Sequence, residues 1–196
     1  MNILIKNLYK SFDDEIVIKN LNLEINSFDR VALVGKSGIG KTTFLRMLLG
    51  DLKADSGEII FSEEPKYSVV FQENLLFENR SIYENIKFVK SANRDIVEKY
   101  LDILGVKGLL DKKVSQLSGG MKRRVSILRA IVYSGNIYIL DEALREVDLE
   151  TRDKIIYLLN ESISCPLIFT THDENDIKDL SATKVVNLET GEIYNL

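Results

Sequence analysis

The sequence predicts an α/β fold in which a mostly parallel sheet is wrapped by helices, with a small antiparallel β region and a helical subdomain. Three observations predict it. Apolar runs of strand length alternate with stretches of helical period, as in parallel sheets covered by helices. A glycine-rich turn joins one such run to a helix, and the first 25 residues alternate apolar with polar side chains. Because 196 residues, 45% of them hydrophobic, suffice for one full-sized core, we expect a single domain over 1–196.

The pattern of the amino-terminal half predicts short strands around one helix. Alternation at Ile3, Ile5, Leu8, Ile16 to Ile18, Leu21, Leu23 and Ile25 predicts antiparallel strands, with a turn at Asp13-Asp14. The apolar run Val31 to Val34 predicts a buried strand, and a helix follows from Thr42. Further strands are predicted at Gly57 to Phe61 and at Tyr67 to Phe71.

The period becomes helical from Ser81 to Lys113, and a helical subdomain is expected over about 81–134. One helix is predicted to start near Asn93, to end at Gly105 and Gly108, and to bury Ile96, Tyr100, Leu101, Ile103 and Leu104. A second is predicted from Ser118 to about Tyr133, with Val125, Leu128, Ile131 and Val132 inward. The remaining predictions are a strand at 136–140, a helix at 148–161, a strand at 167–170 and a closing hairpin of 184–188 with 192–194.

Bulk composition excludes several classes of protein. The net charge of −4 gives no basic excess, so we expect no nucleic-acid partner. A single cysteine, Cys165, excludes an internal disulfide. No apolar run approaches the roughly 18 residues of a spanning helix, and the amino terminus lacks a cleavable signal pattern. We therefore expect a cytoplasmic protein that is attached to a membrane, if at all, through a partner.

A phosphate-binding loop is predicted at residues 35–42, which read Gly-Lys-Ser-Gly-Ile-Gly-Lys-Thr between a buried strand and a helix. Its glycines let backbone N–H groups curl around an anion, and the helix amino terminus adds positive charge. Lys41 can reach the outer phosphates, and the hydroxyl of Thr42 can bind Mg²⁺. A plain glycine-rich turn is the alternative. The predicted nucleotide-binding residues are Gly35, Lys36, Ser37, Gly38, Ile39, Gly40, Lys41, Thr42 and Thr43.

Two carboxylates follow the apolar run Ile137 to Leu140, which brings them to the carboxyl edge of the predicted sheet. Asp141 is placed to hold Mg²⁺, and Glu142 can act as general base for an attacking water. The alternative is that these two acids merely begin a loop, but the phosphate-binding loop upstream favours their use as a metal ligand and a general base.

Leu117-Ser118-Gly119-Gly120-Met121 predicts a second anion site, because exposed amides and a hydroxyl stand at the head of a helix. An ordinary N-cap is the alternative. A single nucleotide has little use for two phosphate-binding helix ends in different lobes. A head-to-tail pair of subunits would use both, each lending Ser118, Gly119 and Gly120 to the nucleotide of the other.

These motifs, in this order, resemble the nucleotide-binding subunit of ATP-binding cassette (ABC) transporters over essentially the whole chain. Residues 35–42 match the Walker A loop, 137–142 match Walker B with its catalytic glutamate, and 117–121 match the LSGGQ signature with Met for Gln. The resemblance implies a P-loop ATPase core, ATP and Mg²⁺ as ligands, and a phosphate contact for Lys41.

The resemblance assigns roles to further residues. Phe12 matches the aromatic that stacks on adenine, although core packing explains it equally well. Gln72 matches the Q-loop glutamine, which touches Mg²⁺ or the lytic water and senses the membrane subunit. His172, the only histidine, matches the switch histidine that polarises a γ-phosphate oxygen. Asp148 matches the last residue of the D-loop near the nucleotide.

Other positions depart from the family pattern. Ala143 stands where Pro is usual, and Arg145-Glu146-Val147 replaces Ser-Ala-Leu in the D-loop, which puts communication between subunits through this loop in doubt. Lys122-Arg123-Arg124 is expected to be a solvated helix face, although Lys122 lies close to the partner's nucleotide in the family arrangement.

The primary hypothesis is an Mg²⁺-dependent ATPase that powers a transporter from the inner face of the cell membrane. The implied partners are a second nucleotide-binding subunit, in a homodimer or heterodimer, transmembrane permease subunits and, for an importer, a solute-binding protein. The signature region is most similar to bacterial nitrate, sulfonate and taurine importers. Two alternatives stay open: a soluble ABC ATPase with an assembly or regulatory role, and a weakly hydrolysing ATP-binding subunit of a heterodimer.

Overall fold

A computed structural model describes residues 1–13, 15–145 and 147–196, which form two sheets and six α-helices. The strands are β1 (Ile3–Phe12), β2 (Glu15–Ile25), β3 (Arg30–Val34), β4 (Ser56–Phe61), β5 (Tyr67–Val70), β6 (Ile137–Asp141), β7 (Leu167–Thr170), β8 (Lys184–Asn187) and β9 (Ile193–Asn195). The helices are α1 (Lys41–Leu48), α2 (Ile82–Val89), α3 (Arg94–Ile103), α4 (Gly119–Tyr133), α5 (Leu149–Ser162) and α6 (Glu174–Asp179).

The larger sheet has the order β5-β6-β7-β3-β8-β9 and is parallel except for β9, which pairs antiparallel with β8. The smaller sheet, β2-β1-β4, is antiparallel. Both sheets and the closing hairpin agree with the sequence predictions. The predicted turn at Asp13-Asp14 falls partly on Asp14, which lies outside the described residues.

Two apolar layers enclose the larger sheet, because successive side chains of a strand point to opposite faces. On β6, Ile137 and Ile139 pack with α1 and the smaller sheet, whereas Tyr138 and Leu140 pack with the helices of the other face. All of β6 and β7 is buried, which explains their continuous apolar sequences.

The carboxyl ends of the central strands meet at one level. Leu33 of β3 and Asp141 of β6 both pair with Thr170 of β7, and Val70 of β5 pairs with Leu140. The residues that follow these strands therefore converge on one edge, where parallel α/β sheets bind their ligands.

Helix α3 buries part of the predicted face together with one residue outside it. It begins after Asn93, whose side chain caps it as expected, but its buried residues are Val97 and Leu101, followed by Leu104 just beyond the helix. Ile96 and Ile103 are exposed, by 52% and 40%. Leu101 and Leu104 are thus buried as predicted, and Tyr100 packs partly on the core, but the prediction was wrong for Ile96 and Ile103. The inward stripe runs through Val97, Leu101 and Leu104, which are spaced four and three residues apart.

Helices α2 and α6 were not predicted individually. Ser81 and Glu84 form a capping box that starts α2, and Asp173 caps the short helix α6. Helices α2, α3 and α4 fall within the predicted range 81–134, and their buried residues join one apolar cluster with the sheet. In the part of the chain that is described, no helix combines the length and the apolar character needed to cross a membrane.

Candidate nucleotide site

The loop between β3 and α1 is shaped by glycines with positive φ. Gly35, Gly38 and Gly40 have φ of 134°, 82° and 111°, which side-chain-bearing residues rarely adopt. A Cβ on Gly40 would also lie 2.3 Å from Cγ1 of Val17 on β2. The smaller sheet therefore presses on the loop and requires glycine at this position.

Lys41 folds back over this loop. Only 6% of the residue is exposed, and its Nζ donates hydrogen bonds to the carbonyls of Gly35 at 2.7 Å and Lys36 at 3.0 Å. Burial lowers the pKa of its ammonium group, against the opposing charges of Glu142 and Asp141. The ammonium group of Lys41 is thus held at the loop by backbone carbonyls, with the charges of Glu142 and Asp141 nearby.

Asp141 ends β6 with its carboxylate buried next to two hydroxyl groups. Its Oδ1 accepts a hydrogen bond from Thr170 at 2.7 Å, and the Oγ1 of Thr42 lies 3.5 Å from its Oδ2. Gln72 lines the same cavity. A carboxylate, a hydroxyl and an amide oxygen are the hard donors that Mg²⁺ takes, so the residues present fit this ion.

Glu142 is held by three neighbours. Its backbone has φ of 47°, and its N–H donates to the Oγ1 of Thr170 at 2.9 Å. Its Oε1 lies 3.2 Å from the Nε2 of His172, and its Oε2 accepts a hydrogen bond from Arg145 at 2.9 Å. Partial burial raises the pKa of this carboxyl, but Arg145 and His172 outweigh burial and hold the pKa below its ordinary value.

A cavity of about 170 Å³ brings the predicted phosphate, metal and base residues together. Its lining residues are Ser37, Gly38, Gly40, Lys41, Thr42, Thr43, Gln72, Asp141, Glu142 and Arg145. His172 adjoins it, with Nε2 at 3.4 Å from the Nζ of Lys41. Of the lining residues, only Arg145 was absent from the sequence predictions for the site.

Phe12 stands at the end of β1, where 45% of the residue is exposed. The ammonium of Lys10 lies 5.1 Å from the ring centroid, within the range of a cation–π contact. An aromatic ring this exposed is available to stack on a base and is not a core residue, so the core-packing alternative fails.

The signature residues lie at the amino terminus of α4. The Oγ of Ser118 accepts a hydrogen bond from the N–H of Met121 at 3.3 Å, so this serine does act as an N-cap. Ser118 and Gly119 are exposed, and nothing within 4 Å would meet a Cβ on Gly119 or Gly120. This chain alone gives no packing reason for two glycines here.

Asp148 caps helix α5. Its carboxylate accepts hydrogen bonds from the N–H of Thr151 and from Arg124, both at 3.0 Å. The N–H of Thr151, with a smaller effect of Arg124, lowers the pKa of this carboxyl. Its nucleotide contact, which only the family resemblance implies, stays a prediction.

The basic run 122–124 is not the solvated face that was predicted. Lys122 pairs with Glu78 at 2.8 Å, and Arg124 binds Asp148 as described above. Arg123 donates to the carbonyl of Phe71 at 2.5 Å and to that of Gln72. The solvated-face prediction was wrong because the loop that follows β5 packs along α4, which a helical period cannot show.

A second arginine of α4 binds the same loop, since Arg129 donates to the carbonyl of Leu75 at 2.8 Å. The loop 71–75 is therefore fastened through its backbone to the helix that starts at the signature. Backbone acceptors leave no pattern in the sequence, so neither contact could be predicted.

Comparisons with known proteins agree with this geometry. A family model described as "ABC transporter" matches residues 18–145. The spermidine/putrescine import ATP-binding protein PotA of Acetivibrio thermocellus is 37% identical over 94% of this chain and 58% of its own length. PotA of Spiroplasma citri is 33% identical over 100% of this chain and 61% of its own length. The chain thus spans less than two thirds of the curated relatives it matches.

A solved structure of a bacterial Atm1-family ABC exporter with ATP bound has a TM-score of 0.86 and 25% identity, and the match covers 99% of this chain and 38% of that one. The relatives above are polyamine import proteins, so they do not support the narrower resemblance to nitrate, sulfonate and taurine importers. On the family match and the site geometry, the chain belongs to the ABC transporter family.

Proposed function

We propose that this chain binds ATP at the loop 35–43 and hydrolyses it to power a membrane importer. The observation that carries the proposal is the cavity in which Lys41, Thr42, Asp141 and Glu142 meet at the carboxyl edge of the larger sheet, beyond strands β3 and β6, which flank β7. Phosphate binding, metal binding and base catalysis each need one of these groups, and the sheet topology supplies them together.

Lys41 and the loop amides bind the phosphates. The ammonium of Lys41 exchanges its carbonyl partners, Gly35 and Lys36, for outer phosphate oxygens, which are stronger acceptors because they are charged. Phe12 stacks on the adenine. Thr42, Asp141 and Gln72 would hold Mg²⁺, which neutralises phosphate charge when it is bound.

Glu142 acts as general base for the attacking water. A glutamate whose pKa lies below its ordinary value is ionised near neutral pH and can therefore accept a proton, and release of its contact with Arg145 would raise its basicity. His172 orients Glu142 through Oε1 and lies near Lys41, where it can also face the γ-phosphate. The backbone amides and Lys41 stabilise the charge that develops during transfer.

A second nucleotide-binding subunit completes the site in this proposal. The exposed, unobstructed amino terminus of α4 lets Ser118, Gly119 and Gly120 approach a phosphate on a partner chain. ATP then favours the closed pair, and loss of the γ-phosphate opens it.

Exposed aromatic residues in and just before the helical part support contact with a permease. Phe77 and Phe88 are exposed by 46% and 74%, with ring centroids 4.8 Å apart, and Leu75, two residues before Phe77 in the chain, is exposed by 55%. They adjoin the loop 71–75 that carries Gln72, so movement of a membrane subunit could reach the site. The chain would then lie against the inner membrane face. The relatives favour import, and spermidine and putrescine are the first cargoes to test.

ATP binding and turnover of the purified chain test the enzymatic part. Lys41→Ala should weaken ATP binding by about 100-fold, because a buried charged contact is lost. Lys107→Ala removes an exposed lysine that pairs with Asp102 and should change nothing. Equal ATP affinity of the Lys41 variant and the wild type would refute the proposed site.

Purification from a membrane fraction tests the transport part. Recovery of a polytopic protein with the wild type, and its loss in Phe88→Asp, would support transport. Recovery of soluble partners alone would support the alternative of an assembly or regulatory ATPase. The remaining alternative, a subunit that binds ATP but hydrolyses it weakly, is suggested by Ala143 and Arg145. It requires ATP turnover to stay negligible even when the permease is present.

A further inference from the structure

A chain of buried polar contacts runs from helix α5 to the loop that carries His172. Arg152, in the first turn of α5, donates a hydrogen bond from its guanidinium to Oδ1 of Asp176 on α6 at 2.6 Å. The other carboxylate oxygen of Asp176 accepts a hydrogen bond from the hydroxyl of Thr171. Thr171 directly follows β7 and precedes His172. The guanidinium is therefore connected to the histidine loop through two side chains.

The linked side chains are shielded from water. Thr171 is 4% exposed, and the side chain of Arg152 is 13% exposed. Buried polar groups keep their geometry because a broken contact would leave a charge or a hydroxyl without a partner. The hydroxyl of Thr171 also accepts a hydrogen bond from the N–H of Asp173 at 2.9 Å. The contacts thus fix the backbone on both sides of His172.

Arg152 has a second carboxylate partner, which allows its two contacts to be told apart. Its guanidinium lies 2.7 Å from the Oδ2 of Asp179, near the end of α6. This ion pair also fastens α5 to α6. Of the two carboxylates, Asp176 is the one that binds Thr171. Removing Asp179 therefore changes the packing of the helices, whereas removing the hydroxyl of Thr171 cuts the connection to His172.

We propose that Arg152 is a positioning residue for His172, which acts through Asp176 and Thr171. This inference rests on the proposed function, because it takes His172 to orient Glu142 beside the γ-phosphate. Without Arg152, the buried carboxylate of Asp176 loses its cation, so it must turn toward water or take up a proton. Either change disturbs its contact with Thr171 and releases the loop that holds the Nε2 of His172 at 3.2 Å from Glu142.

The test measures kcat for ATP and, by calorimetry, affinity for the non-hydrolysable triphosphate AMP-PNP, both with Mg²⁺. Arg152→Gln should lower kcat by about tenfold, less than the roughly 100-fold that a 1 Å misplacement of a catalytic group can cost. AMP-PNP affinity should stay within about twofold of the wild type, because the phosphate loop is untouched. Arg152→Lys should restore part of kcat, because it keeps the charge. Thr171→Val should reproduce the loss with the ion pair intact.

A double-mutant cycle with His172 separates positioning from a structural role. In a His172→Ala background, Arg152→Gln should cause no further loss of kcat, because no histidine is left to position. An arginine that merely stabilises the fold would lower kcat by the same factor in both backgrounds.

Two matched controls are available. Asp179→Asn removes the other ion pair of the same arginine and should keep the kcat of the wild type. Arg30 is also partly buried and donates to Asn160 of α5 and to the carbonyl of Leu180. Arg30→Gln should therefore lower stability in urea without lowering kcat.

The outcomes distinguish the inference from the proposed function. Wild-type kcat in Arg152→Gln would overturn the inference alone, as would a further loss in the His172→Ala background. If Arg152→Gln does not bind AMP-PNP, Thr171→Val decides, and wild-type kcat in that variant would overturn the inference. A wild type that does not bind AMP-PNP, or does not turn over ATP, would overturn the proposed function and the inference with it.

Discussion

The Nε2 of His172 lies 3.2 Å from the Oε1 of Glu142, although the two residues are far apart in the chain. The contact follows from sheet topology: β6 and β7 are neighbours, and Asp141 pairs with Thr170. The residues just beyond both strands must then meet. Geometry alone therefore assembles a candidate base with the group that orients it.

We predict that His172→Ala lowers ATP turnover at saturating ATP by about 100-fold, the usual contribution of a group that assists proton transfer. Nucleotide affinity should change little, because the phosphate loop and Lys41 remain. Turnover and equilibrium binding, measured on the same preparation, check this. A loss of affinity as large as the loss of turnover would assign His172 to binding instead.

We predict that Arg123→Gln lowers turnover by about tenfold, because the carbonyls of Phe71 and Gln72 lose a charged donor. Hydrogen exchange of the amides in 71–75 should accelerate. Lys107→Gln, which loses the exposed ion pair with Asp102, serves as control.

Arg123 should act through Gln72. The effects of Arg123→Gln and Gln72→Ala on turnover should therefore be non-additive in a double-mutant cycle. Additive effects of the two substitutions on turnover, together with unchanged hydrogen exchange of the amides in 71–75, would show that Arg123 has no influence on this glutamine.

We predict that Gly119→Ala and Gly120→Ala leave the stability of the isolated chain unchanged, because a Cβ meets nothing within 4 Å at either position. The same variants should lose ATP-dependent dimerisation on a sizing column, since a partner's nucleotide must approach these backbones closely. Dimers that form as in the wild type would contradict the shared site.

Gly135→Ala provides the contrasting case. A Cβ at Gly135 would lie 2.0 Å from the carbonyl oxygen of Lys66, so the fold itself requires this glycine. Urea unfolding should show destabilisation by more than about 2 kcal/mol. The two sets of variants thus distinguish glycines that are needed for assembly, at the signature, from a glycine that is needed for packing, Gly135.

We predict that Asp29→Asn destabilises the chain by about 2 kcal/mol at pH 7. Asp29 pairs with Lys184 at 2.5 Å. Partial burial raises the pKa of Asp29, but Lys184 and the N–H of Asn26 outweigh burial and lower it.

The contribution of Asp29 to stability should depend on pH. A carboxyl with a lower pKa in the folded chain stabilises it above the unfolded pKa, about 3.9, and this stabilisation is lost as the pH falls through the folded value. The stability gap between wild type and Asp29→Asn, from urea unfolding, should therefore narrow below about pH 4. A gap that is constant down to pH 3 would exclude the ion pair as its cause.

The sequence predicted the parallel core well because its elements carry strong local signals. The strand 167–170 has the bounds that were expected, and Asn93, Ser118 and Asp148 cap the helices predicted to begin beside them. The phosphate loop, Asp141 and Glu142 were predictable because motif spacing encodes their placement at one sheet edge.

The contacts that escaped prediction depend on tertiary packing. The short helix α6 has six residues, too few for a periodic pattern. Arg123 and Arg129 bind backbone carbonyls of a distant loop, and Arg145 pairs with Glu142 at a position where the family pattern suggested an interface. Each of these contacts depends on the path that a loop takes through space, and the spacing of residues in the sequence does not specify that path.

Glu142→Gln tests the central claim, hydrolysis of ATP in this cavity, most directly. The amide keeps the size of the side chain but cannot accept a proton, so Mg²⁺-dependent ATP turnover should fall by at least about 100-fold while ATP still binds. Turnover equal to that of the wild type would remove Glu142 as the base and contradict the account.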